Sequence, residues 1–176
     1  MSDQVPPEQP AWFNAAQAYL ATNPRARAID IAQAVGCTEA DALSLLSDKV
    51  WTIPGPALPQ VLAEIRNWAR VMVLIRNGDA VAEVEAPGDG WYQRGDWLNW
   101  IAEGYNLHIR AAATDHILAL VRPGKHGPTA SFNLVNRAGQ VFCRLYARTA
   151  VDQERLVTFC APYRKVEILC RKENNV

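Results

Sequence analysis

The first third of the chain has its hydrophobic residues at helical spacing. Apolar side chains recur every three or four positions from Ala11 to about Asn23, and again from Arg27 to Val35. Thr38 is followed by acidic residues at the start of a further segment that reaches Leu46, which is typical of a capped helix N-terminus. The pattern therefore predicts three short helices.

The pattern changes after a proline-rich stretch at 51–59, which we interpret as a connection between two units. A helix is predicted from about Leu58 to Trp68, and another from about Asp152 to Phe159. Between them the apolar residues occur in short β-rich runs joined by turns. The predicted strands are Val71 to Arg76, Ala80 to Glu85, Trp97 to Ala102, Tyr105 to Ala111, His116 to Val121, Ser131 to Val135 and Val141 to Tyr146.

Together these elements predict an α+β fold, in which an antiparallel sheet curls or packs on another sheet. We expect residues 1–10 to form a flexible tail and residues 11–176 to form a single domain. Within that domain we expect a helical subregion at 11–48, a helix and the antiparallel sheet at 58–160, and a C-terminal tail at 161–176.

Composition places the chain among ordinary globular proteins. It has 176 residues, of which 49% are hydrophobic and 20% charged. No apolar run is long enough to span a membrane and the N-terminus does not resemble a signal peptide, so we expect a cytoplasmic protein without a membrane partner. The four cysteines form no C-x-x-C pair, and we expect reduced thiols rather than disulfides or a zinc site.

The charges are unevenly distributed, although the 18 basic and 18 acidic residues balance. Residues 1–90 have a net charge of −5 and residues 91–176 a net charge of +5. The second half is thus the better host for an anionic ligand, unless its arginines simply face water. Residues 28–46 have the composition of a DNA-binding helix-turn-helix, but no Lys or Arg occurs between Asp30 and Leu46, so we do not expect a nucleic-acid partner.

His108 is the histidine best placed for chemistry. The two-residue period of a strand puts Asn106, His108 and Arg110 on one face, with the imidazole and the guanidinium about 7 Å apart. A neutral imidazole can ligate a metal and an arginine can pair with a carboxylate, but both can also be merely solvated. No phosphate loop, H-E-x-x-H or G-x-S-x-G motif is present, so we assign no catalytic residue.

Several short motifs resemble the cytosolic haem-utilisation proteins of bacteria, namely the HutX/ChuX carriers and the repeated halves of the HemS/HmuS and ChuS-like proteins. The resemblance covers residues from about 12 to 160. The motifs that carry it best are Tyr105-Asn-Leu-His108-Ile-Arg110, His116-Ile117, Thr129-Ala-Ser131, Asn136-Arg-Ala-Gly139 and 141–148.

The resemblance implies a cytoplasmic homodimer that binds haem, with a curved, split-barrel-like antiparallel sheet on which N-terminal helices pack. It places His108 where the carriers have an axial iron ligand. Arg76 stands where the carriers have a second histidine, and Ala82 stands where the HemS-like proteins have theirs. Both differences remove an imidazole, which implies a single ligand or a different haem face.

A haem site also needs aromatic or aliphatic walls and cations for the propionates. The second half of the chain supplies aromatic residues and arginines, although these could equally be sheet core and solvated surface. As haem-binding candidates we select His108, which is also the metal ligand, together with Arg110, Arg76, Tyr105, Trp100, Lys125 and Arg144.

The function expected from the resemblance is carriage or storage of haem during haem uptake and iron transport, with a donor or acceptor protein as partner. One alternative is a haem-degrading enzyme that opens the porphyrin ring. Another is a degenerate relative that serves as a protein- or DNA-interaction module.

Overall fold

The computed structural model describes residues 9–77, 79–124 and 126–166. Its helices are α1 (Ala11–Thr22), α2 (Ala28–Val35), α3 (Glu39–Ser44), α4 (Leu58–Ile65) and α5 (Ala150–Cys160). Its strands are β1 (Lys49–Pro54), β2 (Val71–Arg76), β3 (Val81–Ala86), β4 (Trp91–Arg94), β5 (Trp97–Ala102), β6 (Tyr105–Arg110), β7 (His116–Arg122), β8 (Thr129–Val135), β9 (Val141–Ala147) and β10 (Arg164–Lys165).

The strands form two antiparallel sheets. One has seven strands in the order β10-β1-β7-β8-β9-β2-β3, and the other has three strands in the order β4-β5-β6. The predicted α+β class, with a large antiparallel sheet and helices at the N-terminus, is confirmed. The large sheet is open and does not close into a barrel.

The centre of the seven-stranded sheet, formed by β7, β8 and β9, is buried on both faces. On β7, Ile117 and Ala119 belong to one hydrophobic cluster while Leu118 and Leu120 belong to another, as the alternation of strand side chains requires. The first cluster holds the apolar residues of α4 and α5 and those of the three-stranded sheet. The second holds those of α1, α2 and α3. The three-stranded sheet and the N-terminal helices therefore lie on opposite faces of the large sheet.

Three strands lie outside the predicted set, because tertiary pairing rather than local pattern defines them. Strand β1 includes part of the proline-rich stretch interpreted as a connection, and it pairs with β7 on one side and β10 on the other. Its Pro54 stands at the last position of the strand, where a missing N–H costs little. Strands β4 and β10 have only four and two residues. The predicted helix from Leu58 to Trp68 ends three residues earlier, at Ile65.

The cysteines of the described part of the chain are free thiols. Cys143 and Cys160 are buried, and burial raises the pKa of each to about 12. Cys37 is half-buried, and burial likewise raises the pKa of its thiol. These thiols are protonated at neutral pH and are therefore poor nucleophiles and metal ligands. Cys170 lies outside the described residues.

Candidate ligand-binding face

The three-stranded sheet has one buried and one outward face. Trp91, Leu98, Trp100 and Ile109 point into the core. The alternate residues point away from it, and we call this surface the open face. The open face consists of Tyr92, Arg94, Trp97, Asn99, Ile101, Asn106, His108 and Arg110.

Strand register arranges the open face in rows that cross the sheet. Arg94 pairs with Trp97, which pairs with Arg110, so these side chains form one row. Tyr92, Asn99 and His108 form the next row in the same way. Paired residues have Cβ atoms about 5 Å apart, and successive rows are about 7 Å apart along the strands. An aromatic and cationic row thus lies beside the row that carries the imidazole.

The His108 side chain is exposed, and one of its ring nitrogens is bound within the sheet. Nδ1 lies 2.7 Å from Oδ1 of Asn99. The Asn99 amide is buried, and its Nδ2 donates to the backbone carbonyl of Trp97 at 3.0 Å. No described protein group hydrogen-bonds to Nε2, so this nitrogen is open to a ligand on the outward side.

Two arginines flank the indole of Trp97. The guanidinium carbon of Arg110 lies 5.0 Å from the ring centroid, which is cation–π distance. Arg94 lies across from Trp97 on the opposite side. Neither arginine forms an ion pair with any described residue, so both charges are available to an anionic ligand. Trp97 itself is 41% exposed, which is unusual for so large a ring.

Arg76 and Arg144 lie elsewhere, on the face of the large sheet that packs against the N-terminal helices. Both donate from Nη2 to Oε1 of the buried Glu39, Arg144 at 2.7 Å. The other carboxylate oxygen accepts from the backbone N–H of Val141 at 3.2 Å. We call Glu39, Arg76 and Arg144 the Glu39 cluster. The structure does not bring its two arginines together with His108.

The remaining predicted residues lie beneath the open face or outside the described chain. Trp100 stacks on Trp91 with ring centroids 4.9 Å apart, and its ring meets the edge of Tyr105 at the same separation. Trp100 is only 1% exposed, so it supports the sheet from the core side. Tyr105 is half-buried, and burial followed by the charge of Asp89 raises the pKa of its phenol. Lys125 lies outside the described residues.

The structure thus joins His108 and Arg110 of the predicted set and adds Asn99, Arg94, Trp97 and Tyr92. A sequence signal for Asn99 did exist. Glu103 and Gly104 form a two-residue turn in which Gly104 has φ +89°, and Ala102 pairs with Tyr105 across it. A turn of that length fixes the register of the hairpin, so Asn99 must pair with His108.

A groove of about 1030 Å³ opens on the other side of the molecule, between the N-terminal helices and the β2–β3 hairpin. The cations that line it are Arg27 and Arg76, and both are already paired, with Asp30 and Glu39 respectively. Its carboxylates also include Asp41 and Asp79. Because none of its described lining residues is a free cation, this acidic groove suits an anionic ligand poorly, and the open face is the better candidate.

Other ligand classes find little support in the described ranges. No group of three or more His, Cys, Asp or Glu side chains is arranged to hold a metal ion there. None of the described helices has the length and hydrophobicity needed to cross a membrane. The helix-turn-helix-like segment packs on the large sheet through Ile31, Ala42 and Leu43, which supports its interpretation as a structural hairpin.

Comparison with known proteins assigns the chain to a family. Residues 51–161, more than half of the chain, match the family model for haem utilisation ChuX/HutX. The haem-binding protein ChuX has 21% identity and a TM-score of 0.67, over 84% of this chain and 97% of ChuX. No curated protein sequence matches.

Two longer proteins have the same fold. Holo-PhuS, a haem-binding protein from Pseudomonas aeruginosa, has 17% identity and a TM-score of 0.74, over 94% of this chain and 50% of PhuS. ChuS, an E. coli haem oxygenase, has 19% identity and a TM-score of 0.65, over 76% of this chain and 43% of ChuS. At these identities the likeness concerns the fold alone.

Proposed function

The chain belongs to the ChuX/HutX family of haem-utilisation proteins, and we propose that it binds haem on the open face, with Nε2 of His108 as the iron ligand. The observation that carries the proposal is the open Nε2 in the row next to Arg110 and Trp97. Haem is a flat apolar plate with an iron and two propionates, so it needs one donor nitrogen, flat apolar contacts and cations.

The open face supplies each of these requirements. Tyr92, Trp97 and Ile101 are three of the large hydrophobic side chains that the described surface exposes, and they lie on this one sheet. Arg94 and Arg110 carry two positive charges that pair with no described acid, and these match the two propionates. Lys125 stays a candidate for a further propionate contact. Trp100 and Tyr105 contribute by holding the sheet in place from below.

We propose that the protein carries or stores haem and does not degrade it. Within the described residues the open face forms a single wall, whereas an oxygen-activating site must exclude water. The resemblance to relatives offers two positions for a further imidazole, but Arg76 is bound to Glu39 and Ala82 has no ligating atom. A shallow site with one imidazole suits a cargo that must be released to an acceptor protein.

We place the protein in the cytoplasm and expect it to act as a homodimer. A porphyrin has two apolar faces, and the open face can cover one of them. A second copy of the chain, or a haem donor or acceptor protein, is the natural cover for the other.

Haemin titration of the purified protein tests the proposal. We expect a Soret band that shifts in His108→Ala, with affinity at least about tenfold weaker. His126→Ala is the matched control, since His126 is also exposed but lies in the β7–β8 loop. Identical spectra and affinities for wild type and His108→Ala would remove His108 as the ligand.

The same preparation separates carriage from the alternatives. Addition of ascorbate in air leaves the Soret band in place if the protein is a carrier. Loss of the band with formation of a linear tetrapyrrole would establish a degrading enzyme. Absence of haemin binding at micromolar concentration, with dimerisation retained, would indicate a protein- or DNA-interaction module.

A further inference from the structure

We infer that Asn99 is a positioning residue. It keeps the ring proton of His108 on Nδ1, and the lone pair of Nε2 is thereby left free to bind a metal on the open face. The inference rests on the proposed function for its consequence in haem binding. The proton position itself is a property of the ligand-free protein and can be measured without haem.

The hydrogen bonds of the Asn99 amide allow one orientation only. Nδ2 lies 3.0 Å from the carbonyl oxygen of Trp97, which accepts and cannot donate. Oδ1 therefore faces the His108 ring, where Nδ1 lies 2.7 Å away. The reversed amide would set oxygen against oxygen at Trp97. Because Oδ1 only accepts, Nδ1 must carry the proton, and in the neutral ring Nε2 is left with its lone pair.

The position of Asn99 in the sheet maintains its hydrogen bond to His108. It is the direct cross-strand partner of His108 on the neighbouring strand, so the distance between the two side chains is set by the register. Asn99 is only 7% exposed, although it belongs to the outward face. Water therefore competes poorly for its oxygen, and the bond to His108 is kept.

The consequence concerns the ligand atom. Free histidine in water more often carries its proton on Nε2, the nitrogen that points outward here. An exposed His108 without Asn99 would revert to that form, and its outward nitrogen would have to lose a proton before it could bind iron. The hydrogen bond also fixes the rotation of the ring, so the lone pair keeps one direction.

The first experiment measures the proton position in the ligand-free protein. Histidine is labelled with ¹⁵N, and long-range ¹H–¹⁵N correlation spectra are recorded at a pH where the imidazoles are neutral. We expect the Nδ1–H form of His108 in wild type and a shift toward the Nε2–H form in Asn99→Ala.

Two controls are available within the molecule. Asn106→Ala removes an equivalent amide two residues from His108 on the same face, and no described hydrogen bond involves that side chain; it leaves the signals of His108 unchanged. His116 has its Nδ1 bonded to Asp115 at 2.9 Å, and its signals serve as an internal reference for a Nδ1–H ring and for correct folding of each variant.

The second experiment titrates the same variants with haemin. We expect Asn99→Ala to bind about 10- to 100-fold more weakly, as loss of a partner behind a metal-ligating histidine usually does, and Asn106→Ala to bind as wild type. Retention of the Nδ1–H form in Asn99→Ala overturns the inference whatever the haemin data show. A changed proton position with unchanged haemin affinity overturns the second part of the inference, which is the consequence for haem binding. Unaltered binding by His108→Ala refutes the proposed function instead, and the two failures are thus distinguished.

Discussion

The open face and the Glu39 cluster each contain two arginines, but only the arginines of the Glu39 cluster form ion pairs with a described carboxylate. Arg94 and Arg110 flank an exposed indole and pair with no described carboxylate. Arg76 and Arg144 share one buried carboxylate on the other side of the large sheet. The comparison teaches that an arginine stays available to a ligand only where no acid that is distant in the chain pairs with it in the fold.

The acid of the Glu39 cluster is brought to the sheet by local structure at the start of α3. Thr38 and Asp41 form a capping box, which fixes the first turn of the helix and the position of Glu39 within it. The backbone N–H of Ala40 donates to the carbonyl of Gly139 at 3.0 Å. Gly139 has φ +72°, and a Cβ there would lie 2.5 Å from Cβ of Thr38, so only glycine permits this approach.

Removal of the carboxylate that Arg76 and Arg144 share is expected to have the largest effect on stability. Glu39→Gln leaves two nearly buried guanidiniums without a counter-charge, and we expect the free energy of unfolding to fall by about 3–5 kcal/mol. Urea unfolding followed by tryptophan fluorescence measures this loss. Glu83→Gln, an exposed acid on β3, is the control and changes stability by less than about 0.5 kcal/mol. A loss below about 1 kcal/mol for Glu39→Gln would show that the cluster is not a structural centre.

A matched pair of arginine variants tests whether the two regions have separate roles. Arg144→Gln removes a charged hydrogen bond to Glu39, and we expect a loss of about 2 kcal/mol in stability with unchanged haemin affinity of the folded protein. Arg110→Gln does the reverse: stability stays within about 0.5 kcal/mol, and haemin binds about threefold to fivefold more weakly, as for an exposed ion pair.

The salt dependence of haemin affinity checks the prediction for Arg110→Gln. The affinity difference between wild type and Arg110→Gln narrows as ionic strength rises, because screening weakens exposed charge pairs. Equal haemin affinity of the two proteins at low salt would contradict a role for Arg110. Reduced affinity in Arg144→Gln would mean that the two regions belong to one site.

These outcomes depend on two kinds of contact. Contacts within one element can be predicted from the sequence, whereas contacts between distant segments cannot. The pairing of His108 with Arg110 on one face follows from the two-residue period of a single strand, and the α+β fold follows from the strand and helix patterns. The ion pairs of Arg76 and Arg144 with Glu39 do not follow from any sequence pattern, because Glu39 lies 105 residues from Arg144 in the chain. No local pattern includes both partners. Strand β1 was missed for the same reason, since its partners β7 and β10 are distant in sequence.

Trp97 offers a finer test of the open face. Trp97→Ala removes an apolar contact for the porphyrin and the ring over which Arg110 lies, and we expect haemin affinity to fall roughly twofold to tenfold, which corresponds to about 0.5–1.5 kcal/mol for an aromatic contact. Trp97→Phe restores most of the affinity. Val151→Ala, an exposed apolar residue on α5, is the control and leaves affinity unchanged. Full affinity in Trp97→Ala would place the porphyrin elsewhere.

The smallest effect is expected at an arginine–carboxylate pair that resembles the Glu39 cluster in geometry but lies in water. Arg27 donates to both carboxylate oxygens of Asp30, and this hydrogen bond is the main cause that lowers the pKa of Asp30 to about 2 from its ordinary 3.8. Since the folded state favours the ionised form, the unfolded chain takes up the proton first as the pH falls. The contribution of the pair is therefore complete above about pH 4 and disappears toward pH 2.

Solvent screening makes that contribution small, because the Arg27 side chain is 71% exposed. We expect Asp30→Asn to lower the urea midpoint at pH 7 less than any change in the Glu39 cluster, and the difference from wild type to vanish between pH 4 and pH 2. Urea titrations of both proteins across this range measure the difference. A loss at pH 7 as large as that of Glu39→Gln would contradict the view that burial, rather than geometry, distinguishes the two pairs.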